Sequence, residues 1–377
     1  MKIVIALDSF KGTMSAAEAC ATVATEISAQ IEDAEIIQIP VADGGEGTID
    51  SLTAACNGEF IDVPGVTGPL PEMRCTGRYG WLQSQETAVI EMANVSGLPL
   101  LTVDQRNPLL TTTYGTGQLI SHAITHCNAR RILLALGGSA TVDGGTGAAR
   151  ACGWQFLDDK NNPLPPGGGY LTELTGIIPP ENDFADIDIE ALCDVTNPLC
   201  GASGAAAVYG PQKGATPEMV EQLEVALRHL ADCITTQLGS RIADTPGAGA
   251  AGGFGAGALA FFDGRLVPGF EAVAETCKLK NALQDADWVI TGEGRLDTQS
   301  LQGKVVDGVN RLAKMCGTKT AVIAGTVQLS TEQCRAADLD EVIQTAPPGM
   351  PNDEAIAHGR EHLQKAARSL ARPLHEK

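Results

Sequence analysis

The chain has 377 residues, a formal net charge of −20, 44% hydrophobic and 19% charged residues, and only 4% aromatics. Its few cations are scattered rather than gathered in runs, which excludes nucleic acid and anionic membrane as natural partners, and so few aromatics do not make a base-stacking surface. Eleven cysteines without a C-x-x-C pair, and a Met1 that leads straight into an apolar segment, predict free thiols and a cytoplasmic protein. The six histidines show no metal-ligand spacing, and His122 and His126 read as a helix-surface pair. The length suits two domains.

In chain order, Lys2–Leu7 reads as a first strand, ending in Asp8-Ser9-Phe10-Lys11-Gly12, and residues 15–29 as a helix with Ser15 and Glu18 as its capping box. Open α/β sheets bind ligands at the C-terminal ends of their strands. Asp8 and Lys11 can do so here, or can simply cap the loop and neutralise each other. Residues 35–41 form a second strand that runs into Asp43-Gly44-Gly45-Glu46-Gly47. Its two carboxylates suit a metal or a hydroxyl, and equally suit a helix start with Asp43 as cap and Glu46 as box partner. Residues 60–80, rich in Pro and Gly, read as an irregular crossover.

A strand over 87–92 and a helix beginning near 117 lead to the apolar run 132–136, a buried strand that stops at Gly137 and Gly138. Without a Cβ these two can bring backbone N–H groups close to an anion, while Ser139, Thr141 and Thr146 add hydroxyls. One glycine pair alone is an ordinary turn. Asp143, Gly144, Gly145 and Gly147 follow so closely that a phosphate loop is the better reading. Residues 161–169 read as a surface loop.

A short strand over 191–195 carries Asp194, with Asn197 just beyond, both suited to magnesium or a hydroxyl. Lys213 lies in the next turn as a cation for phosphate, and 216–238 is an amphipathic helix. Residues 247–252 match G-x-G-x-x-G formally, but they follow Thr245-Pro246 rather than a strand and lack the distant acidic partner, so a dinucleotide site is rejected. A strand over 287–291 then ends in Gly292-Glu293-Gly294-Arg295-Leu296-Asp297, with Lys304 in the helix that follows. Two further strand-to-loop turns fall at 321–326 and 342–345, and a last helix at 353–370. Similar strand-ending signatures at both chain ends, around a middle of different texture, predict an α/β protein. A parallel-sheet domain is built from both termini, and a second α/β domain is inserted in it.

The blocks DSFKG (8–12), PVADGGEGT (40–48), LGGSATVDGGTGAA (136–149), CDVTNPLCGASGAAAVYGPQKGA (193–215) and TGEGRLDTQSLQGK (291–304) resemble those of the bacterial type I glycerate kinases, in family order along nearly the whole chain. The resemblance implies phosphorylation of D-glycerate by ATP, usually at the 2-hydroxyl to give 2-phosphoglycerate. It also implies a flavodoxin-like domain, placed at 1–65 and 285–377, an inserted domain at 66–284, and an active site in the cleft between them. The alternatives are a kinase giving 3-phosphoglycerate and, further off, a nucleotide-cofactor oxidoreductase.

Phosphoryl transfer needs charge neutralisation, alignment and a proton acceptor. No Walker A motif is present, since Gly303-Lys304 lacks the upstream glycine and the following Ser/Thr. Asp194 is the expected base and Asp43 the runner-up, with Lys11 and Arg295 also catalytic. Arg295, whose fork fits a carboxylate, joins Asp8, Ser9, Lys11, Asn197 and Asp297 as the substrate set. Gly137, Gly138, Ser139, Thr141 and Lys213 are expected at the nucleotide phosphates. Asp43, Glu46 and Asp194 are expected to hold Mg²⁺ with ATP, from a pool that includes Glu293. The sequence does not give the oligomeric state, and a homodimer is the assembly to test for.

Overall fold

The computed structural model describes residues 1–181, 184 and 186–376. The chain divides into two units, one made of Met1–Asp43, Asp50–Gly58 and the chain from Phe270 onward, the other of Gly44–Ile49 and Glu59–Gly269. The strands β1 (Lys2–Leu7) and β2 (Glu35–Gln38) open the chain. The middle holds β3 (Glu59–Thr67), β4 (Arg74–Leu82), β5 (Thr87–Glu91), β6 (Arg131–Ala135), β7 (Gln155–Leu157), β8 (Gly176–Ile178), β9 (Asp188–Leu192) and β10 (Arg265–Val267). The strands β11 (Trp288–Leu296), β12 (Lys319–Val327) and β13 (Glu341–Gln344) close it.

The first unit is a parallel sheet in the order β13-β12-β11-β1-β2, so both chain ends build it. Residues Ile3 to Leu7 are all buried, as consecutive apolar positions must be in a strand covered on both faces. One face packs Ile3, Ile5 and Leu7 against the helices Ala16–Ser28 and Gly359–Glu376, through Val23, Ile27, Leu363 and Leu370. The other packs Val322 and Ala324 against Val306 and Leu339. The helix Ala16–Ser28 starts as its sequence predicts: Glu18 N–H donates to Ser15 Oγ, and Ser15 N–H to Glu18 Oε2 at 3.0 Å.

Three expectations about this unit are corrected. The strand expected to end at 291 continues to Leu296, because its ladder with β12 runs on to the Leu296–Val327 pair. Gly292, expected in a loop, is therefore a strand residue, and a Cβ there would lie 1.8 Å from the Ile323 carbonyl oxygen. Gly292→Ala must push β11 and β12 apart, and a stability loss of about 3 kcal/mol is expected from the urea midpoint. The last helix is not continuous. Asn352–Ala357 and Gly359–Glu376 are separated at His358, and Gly359, which opens the second helix, presses so closely on Thr13 that an added Cβ would meet its methyl at 2.3 Å. Lys304 is not inside the following helix but at its N-cap, before Val305–Cys316.

The second unit is a mixed sheet in the order β10-β9-β6-β5-β4-β3, with antiparallel pairing at β3–β4 and β4–β5 and parallel pairing elsewhere. A separate β7–β8 pair is antiparallel. Residues 60–80 are thus a regular hairpin rather than a crossover. Pro64 is tolerated because β3 is the edge strand, and the register shift between Pro64 and Val66 absorbs Gly65. The strand expected at 191–195 is Asp188–Leu192, which leaves Asp194 two residues past its end. The expected surface loop at 161–169 is partly internal, with Gly167 and Gly168 buried against Leu109, Leu110 and the Val142 carbonyl. The helix Pro217–Leu238 is amphipathic as expected, capped by Thr216 Oγ1, which accepts from Met219 N–H. Among the described residues no helix is long and apolar enough to cross a membrane.

Candidate active site

In the first unit the chain passes from β1 to β2 on one side and later fills β11, β12 and β13 on the other. Such a reversal opens a crevice beyond the carboxyl ends of the two central strands. A cavity of about 470 Å³ occupies that place, and Asp8, Lys11, Asp43, Glu293, Arg295 and Lys304 line it. Ser9 and Asp297 line it as well, so six residues expected from the sequence, Asp8, Ser9, Lys11, Asp43, Arg295 and Asp297, come together.

Asp8 follows directly on β1. Its N–H donates to the Gly292 carbonyl at 2.9 Å, and its Oδ1 accepts from Ser9 N–H at 2.6 Å. Burial, and then the charge of Asp43, lift its pKa from 3.8 to about 7, with Glu293 adding to the rise while the Ser9 N–H and Lys11 oppose it. Folded protein therefore keeps this proton up to about pH 7, whereas unfolded chain releases it near 3.8. Between those values the folded state binds more protons, and stability falls as pH rises. Asp8→Asn keeps the acceptor for Ser9 N–H and removes the charge. In metal-free buffer the variant's advantage over the parent should be smallest near pH 4, grow as pH rises through 5 and 6, and reach about 4 kcal/mol at pH 8.

Glu293 also has its pKa raised, chiefly by burial, and its Oε1 is buried without a hydrogen-bond partner. Arg295 projects from β11 with its side chain 60% exposed, and its Nε pairs with Asp297 Oδ2 at 2.9 Å. Asp297 Oδ1 accepts from Gln299 N–H at 2.8 Å and Ser300 N–H at 3.3 Å, and these bonds, led by Gln299, hold its carboxyl below the ordinary range. With both oxygens engaged, Asp297 orients Arg295, which lines the cavity with its side chain largely exposed. Thr326, Thr345 and Ile356 are also among the lining residues. The first two lie at or just past strand-to-loop turns visible in the sequence, whereas nothing in the sequence marks Ile356.

The other expected site residues belong to the second unit. Gly138 has φ +72°, and Gly137 and Gly138 are exposed just past β6, while Ser139 and Thr141 are buried. Lys213 is buried behind this loop, where its Nζ donates to Ser139 Oγ and to the Thr141 carbonyl, each at 2.7 Å. Burial lowers its pKa to about 7, against the pull of Asp143. The downstream glycines are occupied internally. Fully buried Asp143 accepts from Thr113 N–H and Oγ1 at 2.8 and 2.9 Å, and from the N–H groups of Gly145 and Gly147, both at 3.2 Å. Of the glycines in this stretch, Gly137 and Gly138 are the exposed ones.

Asp194 is exposed, and its Oδ1 accepts from Gly269 N–H at 2.8 Å. Asn197 is tied on both sides of its amide, Nδ2 donating to the Ser203 carbonyl and Oδ1 accepting from Tyr209 Oη, each at 2.7 Å. Glu46 is exposed. The helix Thr48–Ala55 follows it, with Ile49 N–H donating to Glu91 Oε1 at 3.0 Å. The formal G-x-G-x-x-G segment makes no strand-to-helix turn. Ala251, Gly252 and Gly253 take left-handed conformations inside Ala250–Phe261 and pack on Thr141 and Gly144, so the rejection of a dinucleotide fingerprint agrees with the geometry. Among the described residues no three His, Cys, Asp or Glu side chains stand close enough to hold a metal by themselves.

A doubly wound α/β unit with a strand-end pocket of mixed acids and cations, and a second unit with a glycine turn past a buried strand, define a two-unit α/β protein with a polar strand-end pocket. The Glycerate kinase family model matches residues 3–375. The chain is 42% identical over 373 residues to a glycerate kinase of Bacillus subtilis (strain 168), covering 98% of this chain and 97% of that protein. It is 40% identical over 381 residues to the glycerate 2-kinase of Escherichia coli (strain K12), covering 99% and 98%. A crystal structure from Salmonella typhimurium LT2, 40% identical, superposes with a TM-score of 0.91 over 100% of this chain and 98% of that one. The chain belongs to the glycerate kinase family.

Proposed function

We propose that this protein transfers the γ-phosphoryl group of ATP to the 2-hydroxyl of D-glycerate, giving 2-phosphoglycerate, and that it does so in the cytoplasm. The 40% identical Escherichia coli relative carries the name glycerate 2-kinase, which favours the 2-position over the 3-position. The observation that carries the reading is the strand-end cavity, in which Lys11, Arg295 and Lys304 face Asp8, Asp43 and Glu293. Cations for a carboxylate and acids for hydroxyls are what a small hydroxy acid requires. The strand order supports a flavodoxin-like first domain, and we take the two units as the domains of the enzyme.

In this reading Arg295, steadied by Asp297, holds the glycerate carboxylate, Lys11 and Ser9 flank it, and Asp8 accepts from a hydroxyl. Asp43 is put forward as the acceptor of the reacting hydroxyl's proton, ahead of Asp194, because it lines the cavity while Asp194 is engaged with Gly269 N–H. Asn197 shapes its own loop rather than touching substrate. Gly137 and Gly138 offer N–H groups to the nucleotide phosphates, and Lys213 braces the loop through Ser139 and Thr141.

Magnesium fits the same acids. Glu293 Oε1 is buried without a partner, and Asp8 feels the charges of both Asp43 and Glu293. We assign Glu293 and Asp8 to hold the ion, with Glu46 and Asp194 as further ligands to test. One or two carboxylates suffice, because Mg²⁺ retains waters and takes substrate phosphates as ligands. Bound with ATP, the ion neutralises charge on the phosphates. Incubation with ATP, Mg²⁺ and D-glycerate, with the product coupled to enolase, tests the proposal. Direct coupling is expected, and a product that enolase accepts only after a mutase is added would mean 3-phosphorylation.

A further inference from the structure

Nothing yet accounts for Arg106. It is not an exposed residue, and its Nε is buried without a hydrogen-bond partner. A guanidinium always carries its charge and presents five donors, so a buried N–H left unmade is a standing cost unless a ligand completes it.

Its neighbourhood is the glycine loop after β6. Gly214 lies so close to Arg106 that an added Cβ would stand 2.5 Å from the Arg106 carbonyl oxygen and 2.8 Å from its Cβ. The preceding residue, Lys213, is the one whose Nζ holds Ser139 and Thr141. From the other side, Thr111 N–H donates to the Asn107 carbonyl at 3.1 Å, and Thr111 Oγ1 donates to the Ala140 carbonyl at 2.9 Å. The segment that carries Arg106 is therefore fastened to residues 139–141 twice, through Lys213-Gly214 and through Thr111. A second polar atom there is also unmatched, since Thr141 Oγ1 is buried without a partner. An unmatched guanidinium N–H on a segment fastened to this loop is a donor that an anion held at the loop can satisfy.

We propose that Arg106 is a phosphate-binding residue of the nucleotide site, donating to phosphoryl oxygens of ATP held at the 137–141 loop. Lys213 then fixes the loop's shape, and Arg106 supplies the charge that this part of the site otherwise lacks. The proposal rests on the assignment of the nucleotide to this loop, and it deepens that assignment.

Arg106→Gln should raise KM for ATP at least tenfold, leave KM for D-glycerate within twofold, and leave the melting temperature of the ligand-free protein unchanged. Arg106→Lys, which keeps the charge and loses the planar fork, should fall between parent and Arg106→Gln. Inorganic tripolyphosphate supplies a readout without turnover: it should raise the melting temperature of the parent and leave that of Arg106→Gln unmoved. An unchanged KM for ATP in Arg106→Gln, or a shift in KM for D-glycerate instead, overturns the proposal. If Arg106→Gln does not fold, Arg106→Lys with parental KM for ATP and parental response to tripolyphosphate overturns it just as well. A parent that binds tripolyphosphate through Arg106 but does not phosphorylate glycerate would sink the functional reading and leave this one standing.

Discussion

Arg295→Ala is expected to lower kcat/KM for D-glycerate by about 10²- to 10³-fold, mostly through KM, because two charge-assisted hydrogen bonds to a carboxylate are lost together. KM for ATP should hold. Asp297 sits behind the arginine with both oxygens engaged, one by Arg295 Nε and the other by Gln299 and Ser300 N–H. Asp297→Asn keeps the turn acceptor but can face Arg295 with an amide donor, so it should show the same signature at smaller size. Steady-state kinetics over both substrates checks the pair. A loss in Arg295→Ala confined to kcat, or one spread equally over ATP, would remove the arginine from carboxylate binding.

Asp43→Asn should reduce kcat by about 10²- to 10⁴-fold, the range a positioned general base supplies, with KM for D-glycerate nearly unchanged. Asp194→Asn should stay within a few-fold of the parent. The contrast follows from placement: Asp43 lines the cavity, while Asp194 lies past β9 with its Oδ1 bonded to Gly269 N–H. The reverse result would restore Asp194 as the base, the role its sequence neighbourhood first suggests. Single-turnover measurements with preloaded ATP separate the chemical step from product release.

The sequence makes the strand-end residues legible because physics ties them to strongly marked elements. A run such as Lys2–Leu7 has one sensible environment, and whatever follows it must lie at the carboxyl edge of the sheet. Asp8, Lys11 and Arg295 were reachable on that ground. What local pattern cannot give is the partner across space. Gly292 and Gly294 read as a turn because glycine usually marks one, yet pairing with β12 overrides propensity and keeps them in the strand. Pro64 and Gly65 hid a hairpin for the same reason, since only the position of β3 at an edge makes the proline harmless.

The glycine loop shows the limit most plainly. Asp143, Gly145 and Gly147 add to a phosphate-loop signature in one dimension, but in three they satisfy one another and Thr113. Lys213 looks like a cation for solvent or ligand, and it is a buried strut. Arg106 carries no local signal at all, and its significance depends on an unmatched N–H that only a folded chain can reveal.

A crystal structure of the protein with D-glycerate tests the central claim most directly. The ligand is expected in the cavity beyond β1 and β11, with its carboxylate on the Arg295 guanidinium and a hydroxyl within hydrogen-bond reach of Asp8. Glycerate bound elsewhere, beside Asn197 or on the 137–141 loop with that cavity left empty, would contradict it.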